Sequence, residues 1–215
     1  MDAKKREHLE ALNTDHHRRM SIMHVHHSPD QLKWFDDRNM RSRELIVDAM
    51  LGCQNRAKMK LDESRQVLEL GAGHGNDRGY LCSRLDASYV GVEVVKHAAE
   101  SAGVLHMAVE EMPADFNGKF QFIYSRHVME HVVDLDLALS GIARVLAPNG
   151  IVAAVTPHVF PDREPAHVCL QTLGEWCGHY RRHGLRPVYA KLESLACEEA
   201  HIVCIREDWA ARVLD

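Results

Sequence analysis

The amino-acid sequence predicts an α/β protein: a doubly wound, mostly parallel sheet of seven strands preceded by a helical N-terminal extension. Three observations carry that expectation. From Gln66 onward, short apolar runs alternate with helix-compatible segments, the signature of successive βαβ units. The first of these runs, Val67–Leu70, leads straight into a turn with glycine at alternating positions, Gly71, Gly73 and Gly75. Residues 2–60, by contrast, are polar and free of strand signals. The chain is therefore expected to divide into an N-terminal helical extension or lid, residues 1–60, and an α/β domain, residues 61–215. A length of 215 residues suffices for one such domain with a buried core.

Within the extension, Ser28-Pro29-Asp30 offers a cap for a helix that carries Trp34, Phe35, Leu45, Ile46 and Ala49. Strands are expected near residues 66–70, 88–93, 104–108, 120–125, 150–156, 186–192 and 200–206. Helices are expected near 76–86, 95–102, 127–132, 134–146 and 172–183. The helix at 134–146 is read as ending in a turn, Pro148-Asn149-Gly150.

Composition excludes several classes. No apolar run approaches the length of a membrane span, and the charged start lacks a secretion signal, so a cytoplasmic protein with no membrane partner is expected. Six cysteines without a Cys-x-x-Cys pair point to reduced thiols. A net charge of −5 with only short basic clusters argues against a nucleic-acid partner. Oligomeric state leaves no mark in the sequence.

The glycine-rich turn is suited to a ligand that touches backbone. Glycine permits positive φ and removes the Cβ atoms that would hold a ligand away from main-chain N–H groups. Glu69, two residues before the first glycine, places a carboxylate at a strand end, where it repels phosphate and attracts an amine or hydroxyl. A dinucleotide fingerprint requires a third glycine at the position of Asn76, which argues against nicotinamide cofactors.

Glu69 before Gly71-x-Gly73-x-Gly75 resembles motif I of the class I S-adenosylmethionine-dependent methyltransferases. Four further segments resemble that family in order. Tyr89-Val90-Gly91-Val92-Glu93 is similar to its second strand, and Ala108-Val109-Glu110-Glu111-Met112-Pro113 to the loop after the third, with Ala108 replacing the customary Asp. Phe120 to Val132 resembles the fourth strand and its Val-Leu-Glu-His-Val continuation, and Arg144 to Gly150 the Leu-x-Pro-Gly-Gly stretch. Pro165-Ala166-His167-Val168 is similar to a loop of the methyltransferase type 11-like branch. The resemblance implies a Rossmann-like sheet with an antiparallel last strand and S-adenosyl-L-methionine as cofactor, S-adenosyl-L-homocysteine being the product. It also implies a cofactor site made of Glu69, Gly71, Gly73, Gly75, Asn76, Glu93, Val94, Val109, Glu110 and Ser125. Glu93 would bind the ribose hydroxyls, and Glu110 or a backbone carbonyl would replace the missing Asp against adenine.

Sixteen histidines are unusual. His127-Val128-Met129-Glu130-His131 fits the His-x-x-Glu-His pattern of inverted zincins. Because it follows a strand in a βαβ series and coincides with the Val-Leu-Glu-His-Val segment, no metal is expected there. The N-terminal cluster of His16, His17, His24, His26 and His27 is read as a polar surface segment. His127, His131 and His158 fall just past strand ends, where acceptors of open α/β sheets bind, and are the candidate catalytic bases. His167 and Glu130 are lesser candidates. The expected function is methyl transfer to a hydroxyl or amine of a small molecule, a metabolite, sugar or natural product. A non-catalytic binding module of the same fold, a nucleic-acid methyltransferase and a zinc hydrolase are the alternatives.

Overall fold

The computed structural model describes residues 4, 7, 8, 10–15, 18, 29–56, 64–158, 166–195 and 197–213, with only the main chain for residues 29, 31, 32, 34, 35, 212 and 213. The expected lid side chains Trp34 and Phe35, and the N-terminal histidines, lie outside the described residues.

A seven-stranded sheet with strand order β3-β2-β1-β4-β5-β7-β6 forms the centre. Its strands are β1 (Gln66–Leu70), β2 (Ser88–Glu93), β3 (Leu105–His106), β4 (Phe120–Arg126), β5 (Leu146–Pro157), β6 (Leu185–Ser194) and β7 (Glu198–Arg206). Neighbours from β3 to β5 pair in parallel, whereas β7 runs antiparallel to both β5 and β6. The order reverses between β1 and β4, so the carboxyl ends of these strands diverge and leave a crevice.

Helices cover both faces. On one lie α1 (Pro29–Arg56), α2 (Arg78–Leu85) and α6 (Glu207–Val213), contributing Ile46, Val47, Met50, Leu81, Leu85 and Ala210 to a core with Val67, Phe122, Tyr124 and Val203. On the other lie α4 (Leu135–Val145) and α5 (Leu173–Arg182), whose Leu139, Ile142, Trp176 and Tyr180 pack on Leu68, Ile123, Val152 and Ile202. Between β2 and β3 runs α3 (Lys96–Ala102). Each large side chain fully buried here contributes roughly 1.5–3 kcal/mol. Local signals fix the helix starts. Asp134 accepts a hydrogen bond from the Leu137 N–H at 3.0 Å to open α4, and Thr172 with Glu175 forms a capping box on α5.

The second half of α1 is core rather than cover, since Ile46, Val47 and Met50 are completely buried. Three local expectations are corrected. Residues 127–132 form no α-helix: His127 has φ of 55°, which a right-handed helix does not allow, and only a 3₁₀ turn, Met129–His131, follows. Pro148-Asn149-Gly150 does not end α4 as a free turn but lies inside β5, at a register irregularity against β4. β3 is only two residues long: the Met107 N–H still donates to the Glu93 carbonyl at 2.9 Å, and the chain then turns into a 3₁₀ segment, Val109–Glu111. No described helix is long and apolar enough to cross a membrane.

Candidate cofactor and acceptor site

The crevice above β1 and β4 is lined by Gly71, Gly73, Glu93, Val94, Met107, Ala108, Val109, Glu110, His127, Val128, His131 and Val132, with Asn13 from the helical segment 10–15 facing it. No lysine or arginine lines it among the described residues.

All three glycines of the turn have positive φ, 62°, 52° and 74° at Gly71, Gly73 and Gly75. Their surroundings differ. A Cβ on Gly71 would collide with the Val128 side chain, while one on Gly73 would meet nothing within 4 Å. Gly71 is thus demanded by packing, and Gly73 keeps open space on the crevice wall. Glu93, at the end of β2, binds the turn from the side. Its Oε2 accepts from the Gly73 N–H at 2.9 Å and its Oε1 from the Val95 N–H at 2.8 Å.

Glu69 is 4% exposed and accepts a hydrogen bond from the Tyr89 hydroxyl. Burial pushes its carboxyl up to about 8, against the lowering effect of that hydrogen bond. Glu110 is buried, and its Oε1 accepts from the Val133 N–H at 3.1 Å, tying the loop after β3 to the segment after β4.

The structure therefore brings Gly71, Gly73, Glu93, Val94, Val109 and Glu110 to one wall. It leaves four other candidates off the lining. Glu69 is turned to Tyr89, and Gly75 faces Ala102. Asn76 is exposed at the approach to α2, and Ser125 is buried beside Leu70 in the β1–β4 pair.

His127 and His131, which lie either side of Val128 in sequence, also line the crevice. His127 Nε2 donates to Glu199 Oε1 at 3.0 Å, and its Nδ1 lies 3.4 Å from Glu130 Oε1. These carboxylates outweigh desolvation and raise the imidazole to about 9. Glu199 is also held by Ser42 Oγ at 2.6 Å and His201 Nε2 at 3.0 Å, and the two imidazoles and the hydroxyl hold it well below the usual carboxylate range against its own burial. His131 Nδ1 faces the Ala166 carbonyl at 3.0 Å. A carbonyl only accepts, so the ring proton sits on Nδ1 and Nε2 carries the lone pair. His158 does not line the crevice: its Nδ1 is 2.7 Å from Glu198 Oε2, and its N–H donates to the Glu198 carbonyl.

Two groups were missed by motif reading. Asp77, buried behind the glycine turn, accepts from Arg43 at 3.1 Å, from the Tyr124 hydroxyl at 3.0 Å and from Arg126 at 3.2 Å. The Ser42–Glu199–His201 group joins α1 to β7. A Glu-x-His pair inside the apolar run of β7 was the available signal for the second, since charged groups in such a strand demand partners.

Comparison with known proteins agrees with this arrangement. A methyltransferase-domain family model matches residues 41–196. Trans-aconitate 2-methyltransferase of Azoarcus sp. is 30% identical over 152 residues, 67% of this chain and 55% of that protein. Ubiquinone biosynthesis O-methyltransferase of Chelativorans sp. is 36% identical over 107 residues, 44% of this chain and 41% of that protein. The chain thus spans about half the length of the curated relatives it matches. Among solved structures, the YcgJ protein from Bacillus subtilis aligns with a TM-score of 0.61 at 18% identity, covering 78% of this chain and 99% of that one. The 1,6-didemethyltoxoflavin-N1-methyltransferase of Burkholderia thailandensis, with S-adenosylhomocysteine bound, aligns at 0.60 and 15% identity, covering 88% and 89%. These two share the fold. The chain belongs to the methyltransferase-domain family, within the class I S-adenosylmethionine-dependent methyltransferases.

Proposed function

We propose that this chain transfers a methyl group from S-adenosylmethionine to a hydroxyl, or alternatively an amine, of a small molecule. The observation that carries the reading is the pairing of Glu93 with the open, positive-φ Gly73. The space that a Cβ would fill at Gly73 suits close approach of a ligand to backbone, and Glu93 suits two adjacent hydroxyl donors. When bound, S-adenosylmethionine supplies an electron-poor methyl group on a sulfonium sulfur. Glu93 holds the ribose, Val94 and Val109 flank the adenine, and Glu110 takes the place of the missing loop Asp. Glu69 attracts the ammonium group, which offsets the cost of its buried charge. Gly71, Gly75, Asn76 and Ser125 shape the turn and its support.

The acceptor lies against His127 and His131. Both nitrogens of His127 face carboxylates, so it orients the acceptor, and His131 is the side chain at which the acceptor's proton is removed. His158, paired with Glu198 away from the lining, receives no catalytic role. The helical segment bearing Asn13 serves as a partial lid. A crevice without lysine or arginine among the described residues favours a small molecule over nucleic acid, and the similarity to a ubiquinone biosynthesis O-methyltransferase favours oxygen. All six cysteines are free thiols, consistent with a reducing cytoplasm.

Incubation with methyl-labelled S-adenosylmethionine and panels of hydroxy, carboxy and amino compounds tests this. Label transfer to a small acceptor that is lost with Glu93→Ala supports the reading, and labelling confined to nucleic acid contradicts it.

A further inference from the structure

We infer that Glu130, His131 and His167 form a binding site for one divalent transition-metal cation at the acceptor end of the crevice. Each of the three presents one ligand atom, and these atoms all lie within 4.8 Å of one another. An independent observation points to a ligand there. Glu130 is 0% exposed, yet neither carboxylate oxygen accepts a hydrogen bond among the described residues. His127 Nδ1 at 3.4 Å and His131 Nε2 at 3.9 Å approach Glu130 Oε1 as charge contacts only. A fully buried carboxylate whose side-chain partners are these long charge contacts is incompletely compensated, and a cation between it and the imidazoles of His131 and His167 would lower that cost.

The surrounding geometry favours this use. The Ala166 carbonyl fixes the proton of His131 on Nδ1, so Nε2 is the coordinating atom, an arrangement common among metal-bound imidazoles. The His167 ring stands edge-on to the His131 ring with centroids 4.8 Å apart. The segment bearing His167 is anchored to the turn bearing Glu130, because the Cys169 N–H donates to the Glu130 carbonyl at 2.9 Å. Ligand atoms within 4.8 Å of one another are near the spacing that zinc–ligand bonds of roughly 2.0–2.2 Å demand. His127 stands outside the set, since its Nε2 is committed to Glu199.

Two imidazole nitrogens and one carboxylate suit zinc, manganese or cobalt better than magnesium or calcium, whose preferred ligands are oxygen. With three protein ligands, positions remain for water or an acceptor hydroxyl. The inference rests on and deepens the acceptor site proposed above: with Nε2 on the cation, His131 acts by holding the cation that activates the acceptor's hydroxyl. The O–H bond of a cation-bound hydroxyl breaks heterolytically, its proton passing to solvent water and its electron pair staying on oxygen. The zincin alternative fails in geometry, because His127 is not one helical turn from His131; the proposed triad, completed by the downstream His167, departs from the expectation of no metal here.

The full chain, dialysed against chelator, is titrated with Zn²⁺ by calorimetry and with Co²⁺ by visible absorption. One cation per chain is expected. Glu130→Gln and His167→Ala are each expected to weaken binding by about a hundredfold or more, whereas His158→Ala leaves it unchanged. Alanine at His16, His17, His24, His26 and His27 is also expected to leave it unchanged. No stoichiometric cation, or a cation retained by Glu130→Gln and His167→Ala, overturns the inference. S-adenosylhomocysteine titration of the same samples shows that the variants are folded. It also separates the two readings, since loss of nucleoside binding with the cation retained removes the proposed function and not the metal site.

Discussion

His127 Nε2 donates a hydrogen bond to Glu199 Oε1 at 3.0 Å across 72 residues of sequence, tying the turn after β4 to the antiparallel strand β7. Through Glu199 the tie continues to Ser42 of α1 and to His201. The acceptor end of the crevice is therefore fixed by elements from three separate stretches of the chain. Glu199→Ala is expected to leave His127 with one carboxylate partner and to destabilise the chain by about 2–4 kcal/mol, read by urea unfolding. Ser42→Ala removes one hydrogen bond to the same carboxylate, and its expected cost is about 1 kcal/mol.

The glycines at 71 and 73 separate folding from binding. Gly71→Ala drives a methyl group into Val128 at a positive φ and is expected to lower stability by about 1–3 kcal/mol. Adding Val128→Ala should restore part of that loss. Gly73→Ala meets open space in the protein, so its cost is the backbone strain alone, about 1 kcal/mol. Its expected main effect is a tenfold or greater loss of S-adenosylhomocysteine affinity, an energy of about 1.4 kcal/mol or more. Thermal melts and calorimetry on both variants check the contrast.

Glu69 links pH to stability. Its folded value of about 8 lies above the usual 4.5, so the folded state holds a proton that the unfolded chain releases. Its contribution to stability is complete below pH 4.5 and is lost as pH rises through about 8. Glu69→Gln should flatten this decline and raise the midpoint of the ligand-free protein at pH 8 by about 2–4 °C or more. The same variant should bind the nucleoside cofactor more weakly, and wild-type affinity should increase between pH 6 and pH 8 as the carboxylate forms.

Histidine replacements distinguish the two strand-end candidates. His131→Ala is expected to reduce turnover by about a hundredfold or more, as loss of the group at which a proton is removed. His158→Ala, at a residue bound to Glu198 outside the crevice lining, should stay within about twofold of wild type. Single-turnover rates with a labelled methyl donor provide the comparison.

What the sequence disclosed follows from locality. The β1 turn, Glu93 at the end of β2 and the alternation of apolar runs are short-range patterns, and each appears where its spacing places it. The glycine turn could be read because its backbone requirement acts residue by residue. The acceptor end could be read only in part: His167 lies in a recognisable loop, but Ser42 and Glu199 come from distant segments, and nothing local in either announces that they meet His127. The His127–His131 segment misled for a related reason. Five residues with helical spacing predict a helix, but tertiary ties to Glu199 and Val155 hold His127 at a positive φ and interrupt it. Residues 1–60 are expected as an extension or lid, whereas Ile46, Val47 and Met50 in the second half of α1 belong to the core.

The central claim is that Glu93 and the glycine turn bind the adenosyl cofactor. Calorimetric titration of the intact chain with S-adenosylhomocysteine at pH 8, alongside Glu93→Ala, tests it most directly. Saturable binding at one site per chain, weakened about tenfold or more in the variant, is the expected result. Absence of binding to the folded wild-type chain, or equal affinity in the two proteins, would contradict it.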